Sequence, residues 1–117
     1  MKENKPKIRF SHIGDILRAE LSGEIDHHTA RTLREETDKQ IYSLVPKSVV
    51  LSLKDVGFMD SSGLGLVIGR LVTAKEVGAT LTLTGVDERQ MKIFEMAGLE
   101  RMRGLTIQGK EEKRCQK

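Results

Sequence analysis

The stretch Phe58-Met59-Asp60-Ser61-Ser62-Gly63-Leu64-Gly65 joins an apolar strand to an amphipathic segment, and the prediction of the fold starts from it. Residues 49–53 are mostly valine and leucine, which is typical of a buried strand. After the stretch, the apolar side chains recur at helical spacing: Leu64, Val67, Ile68, Leu71 and Val72. We therefore predict a helix N-terminus at Asp60-Ser61-Ser62. A side-chain oxygen there can accept from first-turn amides, and the helix dipole favours an added negative charge.

Upstream of this junction, the pattern predicts a hairpin and then a long helix. Apolar and polar residues alternate over residues 8–11 and 17–21 on either side of Gly14-Asp15, so two half-buried strands should pair there. Asp26 is placed to cap a helix over residues 27–44, and Pro46 is placed to stop it.

Downstream, two more strands and a third helix are predicted. Residues 79–84 alternate as a strand, Asp87 caps a helix that ends at Gly98-Leu99, and residues 102–107 form a weak edge strand. Strands that alternate with helices need crossover connections. The fold class is therefore α/β: a mixed, mostly parallel sheet of about five strands, with an N-terminal hairpin and three to four helices.

Two glycines, Gly65 and Gly69, lie four residues apart on the helix that follows Ser61. Glycine costs a helix about 1 kcal/mol against alanine, so their presence predicts that a neighbouring backbone passes close to this face.

Composition limits the classes of protein to consider. At 117 residues the chain is predicted to be one domain, 1–117, with a core at about 8–108 and basic, flexible ends at 1–7 and 109–117. Residues 1–9 carry a net charge of +3 and residues 110–117 carry +2, so the body between them stands at −2. With only 3% aromatic residues, neither a basic groove nor a stacking platform for nucleic acid is indicated.

The N-terminal residues have no apolar signal-peptide core, and no apolar run approaches the roughly 20 residues of a membrane span. The single Cys115 cannot form an internal disulfide. We therefore expect a soluble, cytoplasmic protein that does not associate with membranes.

The sequence around the junction lacks a complete catalytic or cofactor motif. The glycines after Ser62 miss the G-x-G-x-x-G spacing by one residue, and no phosphate-loop lysine follows. A serine hydrolase would use Ser61 or Ser62 with His27 or His28 as base, but neither serine has the G-x-S-x-G elbow. One cysteine and three histidines supply no metal-ligand set. The expectation is a protein without catalytic residues, metal or required cofactor.

The motif at Asp60-Ser61-Ser62-Gly63, together with Gly23-Glu24-Ile25-Asp26-His27-His28-Thr29-Ala30 upstream, resembles the anti-sigma factor antagonists of the STAS domain family. The resemblance covers about residues 8–108 in the order of elements. The run at residues 26–30 favours the antagonists of sigma F in spore-forming bacteria, which act in sporulation. The alternative is a STAS module of a general-stress or nucleotide-sensing assembly.

The resemblance implies a partner-switching protein. The unphosphorylated form binds an anti-sigma factor, which is itself a serine kinase, and so frees the sigma factor. The kinase then phosphorylates the first serine of the motif, Ser61, and a serine phosphatase reverses this. Weak nucleotide binding is known in the family and is kept as a secondary expectation without assigned residues. The expected form is a monomer.

We also expect the partner to bind at two loops. In a parallel sheet the loops after neighbouring strands lie at the carboxyl ends, where such sheets place their sites. The residues assigned to this surface are Glu24, Asp26, Asp60, Ser61, Ser62 and Gly63. The alternative for Glu24 and Asp26 is that they only cap the helix.

Overall fold

Strands and helices alternate along the chain in the predicted order. The computed structural model describes residues 7–110, and the terminal residues 1–6 and 111–117, which hold most of the predicted basic ends, lie outside the described part. The elements are β1 (Lys7–Ile13), β2 (Ile16–Ile25), α1 (His27–Leu44), β3 (Ser48–Met59), α2 (Ser62–Glu76), β4 (Thr80–Val86), α3 (Glu88–Met96), a 3₁₀ turn (Leu99–Arg101) and β5 (Leu105–Gly109).

The five strands form a single sheet in the order β1-β2-β3-β4-β5. The β1 and β2 strands pair antiparallel, as the predicted hairpin requires, and every other neighbouring pair is parallel. The predicted fold class is confirmed, with β3 at the centre of the sheet. Because β2 and β3 are parallel neighbours, their carboxyl ends lie side by side at one edge.

The hairpin turn between β1 and β2 lies at the opposite end of the strands, where β2 begins. Gly14 adopts a positive φ of 60°, which glycine tolerates at no steric cost. The carbonyl of the next residue, Asp15, accepts hydrogen bonds from the amides of Lys47 and Ser48 at 2.8 and 3.1 Å. The turn is therefore tied to the loop between α1 and β3.

The predicted bounds of α1 are confirmed at both ends. Asp26 caps the helix with reciprocal bonds to Thr29, and the helix ends at Leu44, two residues before Pro46. The residue after the helix, Val45, has a φ of 45° and is 57% exposed. This left-handed conformation is a genuine outlier for a β-branched residue.

The core lies where the strands meet the helices. It is built from alternate residues of the three inner strands, the inner faces of α1 and α2, and the end of α3. Its buried members include Leu17, Ala19, Leu21, Leu33, Ile41, Val49, Leu51, Leu53, Val67, Leu71, Ala74, Leu81, Leu83, Phe94 and Leu99.

The buried face of α2 differs from the predicted one. It contains Gly63, Leu66, Val67, Arg70, Leu71 and Ala74, whereas Val72, which we expected in the core, is 54% exposed. The buried face of α2 is thus shifted by about one residue along the sequence from the predicted face. The reason is Arg70, only 3% exposed, whose guanidinium is paired with Asp38 of α1 at 2.7 Å and can therefore occupy the inner face.

The prediction that Gly65 and Gly69 are packing glycines is wrong. Within residues 7–110, a Cβ atom built on either residue would meet no atom from outside its own stretch of helix within 4 Å, so no neighbouring backbone of this part of the chain approaches there. The close approaches occur at Gly63, against the Met59 side chain, and at Gly85, against the Lys54 backbone at 2.8 Å. None of the helices in residues 7–110 is long and apolar enough to cross a membrane.

Candidate functional site

Two loops that carry the predicted site residues are joined by the sheet. Ile25 and Met59 are register partners at the ends of β2 and β3, and the amide of Asp60 donates to the carbonyl of Ile25 at 3.2 Å. The sequence-based expectation that the Glu24-Asp26 loop and the Asp60-Ser61 loop lie at one edge is therefore confirmed. The two loops form a continuous surface over the carboxyl ends of the two strands.

The start of α2 is organised by Asp60. Its carboxylate accepts a hydrogen bond from the amide of Ser62 at 2.8 Å, and its carbonyl accepts one from the amide of Gly63 at 2.9 Å. Ser61, between them, has helical dihedral angles of −64° and −13°. The predicted helix N-terminus is confirmed, and its capping side chain is that of Asp60.

The two serine hydroxyls differ in exposure. Ser61 is exposed and Ser62 is half-buried. A serine hydroxyl in the first turn of a helix can bond the backbone, but the side-chain hydrogen bonds found within residues 7–110 include neither serine hydroxyl. The side-chain cap at this helix start is supplied by Asp60, so the two serines differ in access to solvent.

Asp26 is engaged in capping α1. One oxygen of its carboxylate accepts from the amides of His28 and Thr29, both at 2.9 Å. The Thr29 hydroxyl accepts from the amide of Asp26 and donates to the carbonyl of Glu24 at 2.8 Å. The hydrogen bond from the Thr29 amide, helped by the one from the His28 amide, holds the pKa of the Asp26 carboxyl below its ordinary value.

Glu24 lies on the same surface with a different role. It is exposed, and its carboxylate takes part in none of the hydrogen bonds or ion pairs within the described residues. Of the two acidic residues that we assigned to the loop, Asp26 thus acts as a cap and Glu24 presents a charge to solvent. Capping does not remove Asp26 from the surface, because the residue is half-buried and only one of its carboxylate oxygens is used.

Phe58 is a feature of this surface that we did not assign from the sequence. It is the register partner of Glu24 and is 44% exposed, although the chain contains few aromatic residues. Gly63, by contrast, is buried beneath the junction and contacts the Met59 side chain. An exposed aromatic ring beside an unpaired carboxylate and an exposed hydroxyl is an arrangement suited to binding another protein.

The described residues give no sign of a metal centre. Nowhere in residues 7–110 do three His, Cys, Asp or Glu side chains come together as metal ligands would. His27 and His28 are both exposed on the first turn of α1.

Comparison with known proteins identifies the family. The sequence model of the STAS domain matches residues 7–113, and the chain belongs to the STAS domain family. It is similar to the anti-sigma F factor antagonist of Paenibacillus polymyxa, with 37% identity over 93 residues and 80% of each chain covered. It is also similar to the anti-sigma-B factor antagonist of Bacillus subtilis (strain 168), with 35% identity over 89 residues, 72% of this chain and 75% of that one.

Solved structures share the fold. The unphosphorylated form of the anti-sigma factor antagonist SpoIIAA superimposes with a TM-score of 0.72 at 24% identity, covering 86% of this chain and 87% of that one. The phosphorylated form of the Bacillus SpoIIAA superimposes with a TM-score of 0.67, also at 24% identity, covering 86% and 90% of the two chains. This likeness concerns the fold alone.

Proposed function

We propose that this protein is an anti-sigma factor antagonist controlled by phosphorylation of Ser61. The unphosphorylated form binds an anti-sigma factor that is also a serine kinase, and the sigma factor held by that kinase is released. The kinase transfers phosphate from ATP to Ser61, which ends binding, and a serine phosphatase restores the active form. STAS-family anti-sigma factor antagonists are regulatory binding proteins and not enzymes.

The observation that carries the proposal is the position of Ser61. Its hydroxyl is exposed at the junction of the two loops, next to Asp60 and on the same sheet edge as Glu24. A kinase can therefore reach it without any change in the fold. The relatives that are anti-sigma factor antagonists support the proposed class of function.

Phosphorylation ends binding through charge in this mechanism. A phosphoserine adds about −1.5 to −2 charges at neutral pH. At Ser61 this charge would lie beside the Asp60 carboxylate, whose hydrogen bond to Ser62 holds it in place. Two like unit charges 4 Å apart near a protein surface repel by about 4 kcal/mol. A single such contact with the partner or its nucleotide is enough to lower affinity more than a hundredfold, which needs about 2.8 kcal/mol.

The partner surface in this proposal comprises Glu24, Asp26, Asp60, Ser61 and Ser62, with Gly63 beneath it. The protein works as a monomer in the cytoplasm, without a cofactor and without contact to nucleic acid or membrane.

For the sigma factor we propose sigma F and a role in sporulation, on the strength of the run Asp26-His27-His28-Thr29-Ala30. The second candidate is a general-stress function, in a sigma-B pathway or a larger sensing assembly. It is favoured by the relatives that are anti-sigma-B factor antagonists at nearly the same identity. Gel filtration separates the forms of assembly, because the switch runs as a small monomer and a sensing assembly runs as a large particle.

The experiment that tests the proposal is incubation with ATP and either an anti-sigma F or an anti-sigma-B kinase, followed by mass-spectrometric mapping of the phosphate. We expect phosphate on Ser61 and none on a Ser61→Ala variant, which still binds the kinase. Ser62→Ala is the matched control and remains a substrate. Phosphate on Ser62, or no modification by either kinase, would contradict the assignment.

A further inference from the structure

A groove runs between the first half of α1 and the first turns of α2, beside the partner surface. Its volume is about 680 Å³, and its walls include His27, His28, Arg31 and Arg34 from α1 and Ser62 and Gly65 from α2. The residues that line it include no carboxylate and no Phe, Tyr or Trp side chain. Its floor includes the core residue Leu66, and it shares His28 and Ser62 with the two helix caps described above.

The charge of the groove is positive. Arg31 and Arg34 are both exposed and lie three residues apart, which places them on one face of α1. Neither arginine takes part in the ion pairs found among residues 7–110. The N-termini of α1 and α2, where helix dipoles are positive, both lie at this end of the molecule. Burial lowers the pKa of the Arg70 guanidinium, and the positive charge of the nearby Arg34 adds to this effect.

The groove is accessible to extended groups. A Cβ atom placed on Gly65 would meet nothing within 4 Å, so a side chain or main chain of a partner can approach the α2 wall without a clash. Guanidinium groups bind carboxylates through paired, charge-assisted hydrogen bonds. An anionic group is therefore the chemistry that fits the groove.

An interface of ordinary size around Ser61 would cover the groove. A stable interface buries about 800 Å² on each protein, which corresponds to a disc of about 16 Å radius. If the interface is centred on Ser61, the groove lies within it, because Ser62 forms part of the groove wall. Glu24 lies on the other loop of the same edge, so the interface holds a negative site and a positive groove.

We propose that the groove between α1 and α2 receives an acidic segment of the anti-sigma factor. This inference rests on the proposed function and adds the chemistry of the partner: a basic group faces Glu24, and a carboxylate-bearing segment faces Arg31 and Arg34. A negative site and a positive groove on one interface favour one orientation of the kinase over its reverse.

The test is the affinity of the unphosphorylated protein for the anti-sigma kinase, measured by titration calorimetry with the double variant Arg31→Glu, Arg34→Glu. We expect the dissociation constant to rise at least tenfold. The matched control is Arg101→Glu, Arg103→Glu, which makes the same change in net charge at exposed positions before β5, at the other end of the sheet. The control should bind within about twofold of the wild type.

The outcomes separate this inference from the proposed function. If the wild type is bound and phosphorylated but the Arg31, Arg34 double variant binds equally well, the acidic-segment inference is wrong and the proposed function stands. If the wild type is not bound at all, both fall. If the loss occurs only when the kinase carries nucleotide, the anion belongs to the nucleotide and the acidic segment is refuted.

Folding of the variant is checked by circular dichroism. Glutamate and arginine have similar helix propensities, so the melting temperature should stay near that of the wild type. Should the double glutamate variant unfold, the Arg31→Gln, Arg34→Gln variant takes its place. Its affinity is then expected to fall at least threefold, and unchanged affinity overturns the inference.

Discussion

Gly63 is the glycine of α2 at which a methyl group should be harmful. A Cβ atom at this position would lie 2.4 Å from both Cγ and Sδ of Met59, a residue only 5% exposed. Real Cβ atoms do not approach so closely, so the Met59 side chain must move within a packed core. Overpacking of this kind costs about 1–3 kcal/mol. We therefore expect Gly63→Ala to lower the free energy of unfolding by that amount.

The same helix provides two controls of opposite sign. A Cβ atom at Gly65 or Gly69 meets no neighbour, and alanine favours a helix interior over glycine by about 1 kcal/mol. Gly65→Ala and Gly69→Ala should therefore each raise the free energy of unfolding. For a domain of this size, 1 kcal/mol corresponds to a shift of about 4 °C in Tm.

The assay is urea unfolding followed by circular dichroism, with the slope on denaturant used to check that the unfolding remains two-state. We expect Gly63→Ala to have a lower free energy of unfolding than the wild type, and the two controls to have a higher one. The prediction would be refuted if Gly63→Ala were as stable as the wild type, or if either control lost as much stability as Gly63→Ala.

Three further substitutions test other parts of the account. The lowered pKa of the Asp26 carboxyl means that its charge adds stability above the unfolded-state pKa of about 3.9, and that this stability is lost as the pH falls through the folded-state value. The Tm difference between the wild type and Asp26→Asn should therefore be largest near pH 6 and should shrink as the pH falls below about 3.9; a constant difference would contradict the capping role of the charge. Asp38→Ala removes the partner of the buried Arg70 and should cost roughly 3 kcal/mol in urea unfolding, because an uncompensated guanidinium remains in the core; a loss below 1 kcal/mol would show that water reaches it. Val45→Gly should raise Tm, since a left-handed residue other than glycine costs about 1–2 kcal/mol and Val45 buries little surface; a lower Tm would show that Val45 is not strained.

Local signals in the sequence predicted the elements well. The bounds of α1 follow from a capping carboxylate at Asp26 and the proline at Pro46, both of which act on the residues next to them. The parallel sheet follows from the alternation of strands and helices. Once β2 and β3 are parallel neighbours, the meeting of their two loops is a matter of topology, and this is why the surface around Ser61 could be predicted.

Features that depend on contacts distant in sequence were not predicted. The inner face of α2 includes Arg70, which hydrophobicity alone assigns to solvent, because its partner Asp38 lies on another helix. The spacing of Gly65 and Gly69 does not reveal whether a neighbour is near, and none is. The groove with Arg31 and Arg34 likewise arises only where α1 packs beside α2, and no local pattern marks it.

The most direct test of the central claim is the effect of phosphate at Ser61 on partner binding. Phosphoserine can be incorporated at position 61 during translation, so the measurement does not require the kinase to act on the protein. The dissociation constants of the unmodified and phosphorylated forms for the anti-sigma kinase are then compared, with the fold of each checked by circular dichroism. The account predicts that both forms fold alike and that the phosphorylated form binds more than a hundredfold more weakly. Equal affinity of the two forms would contradict it.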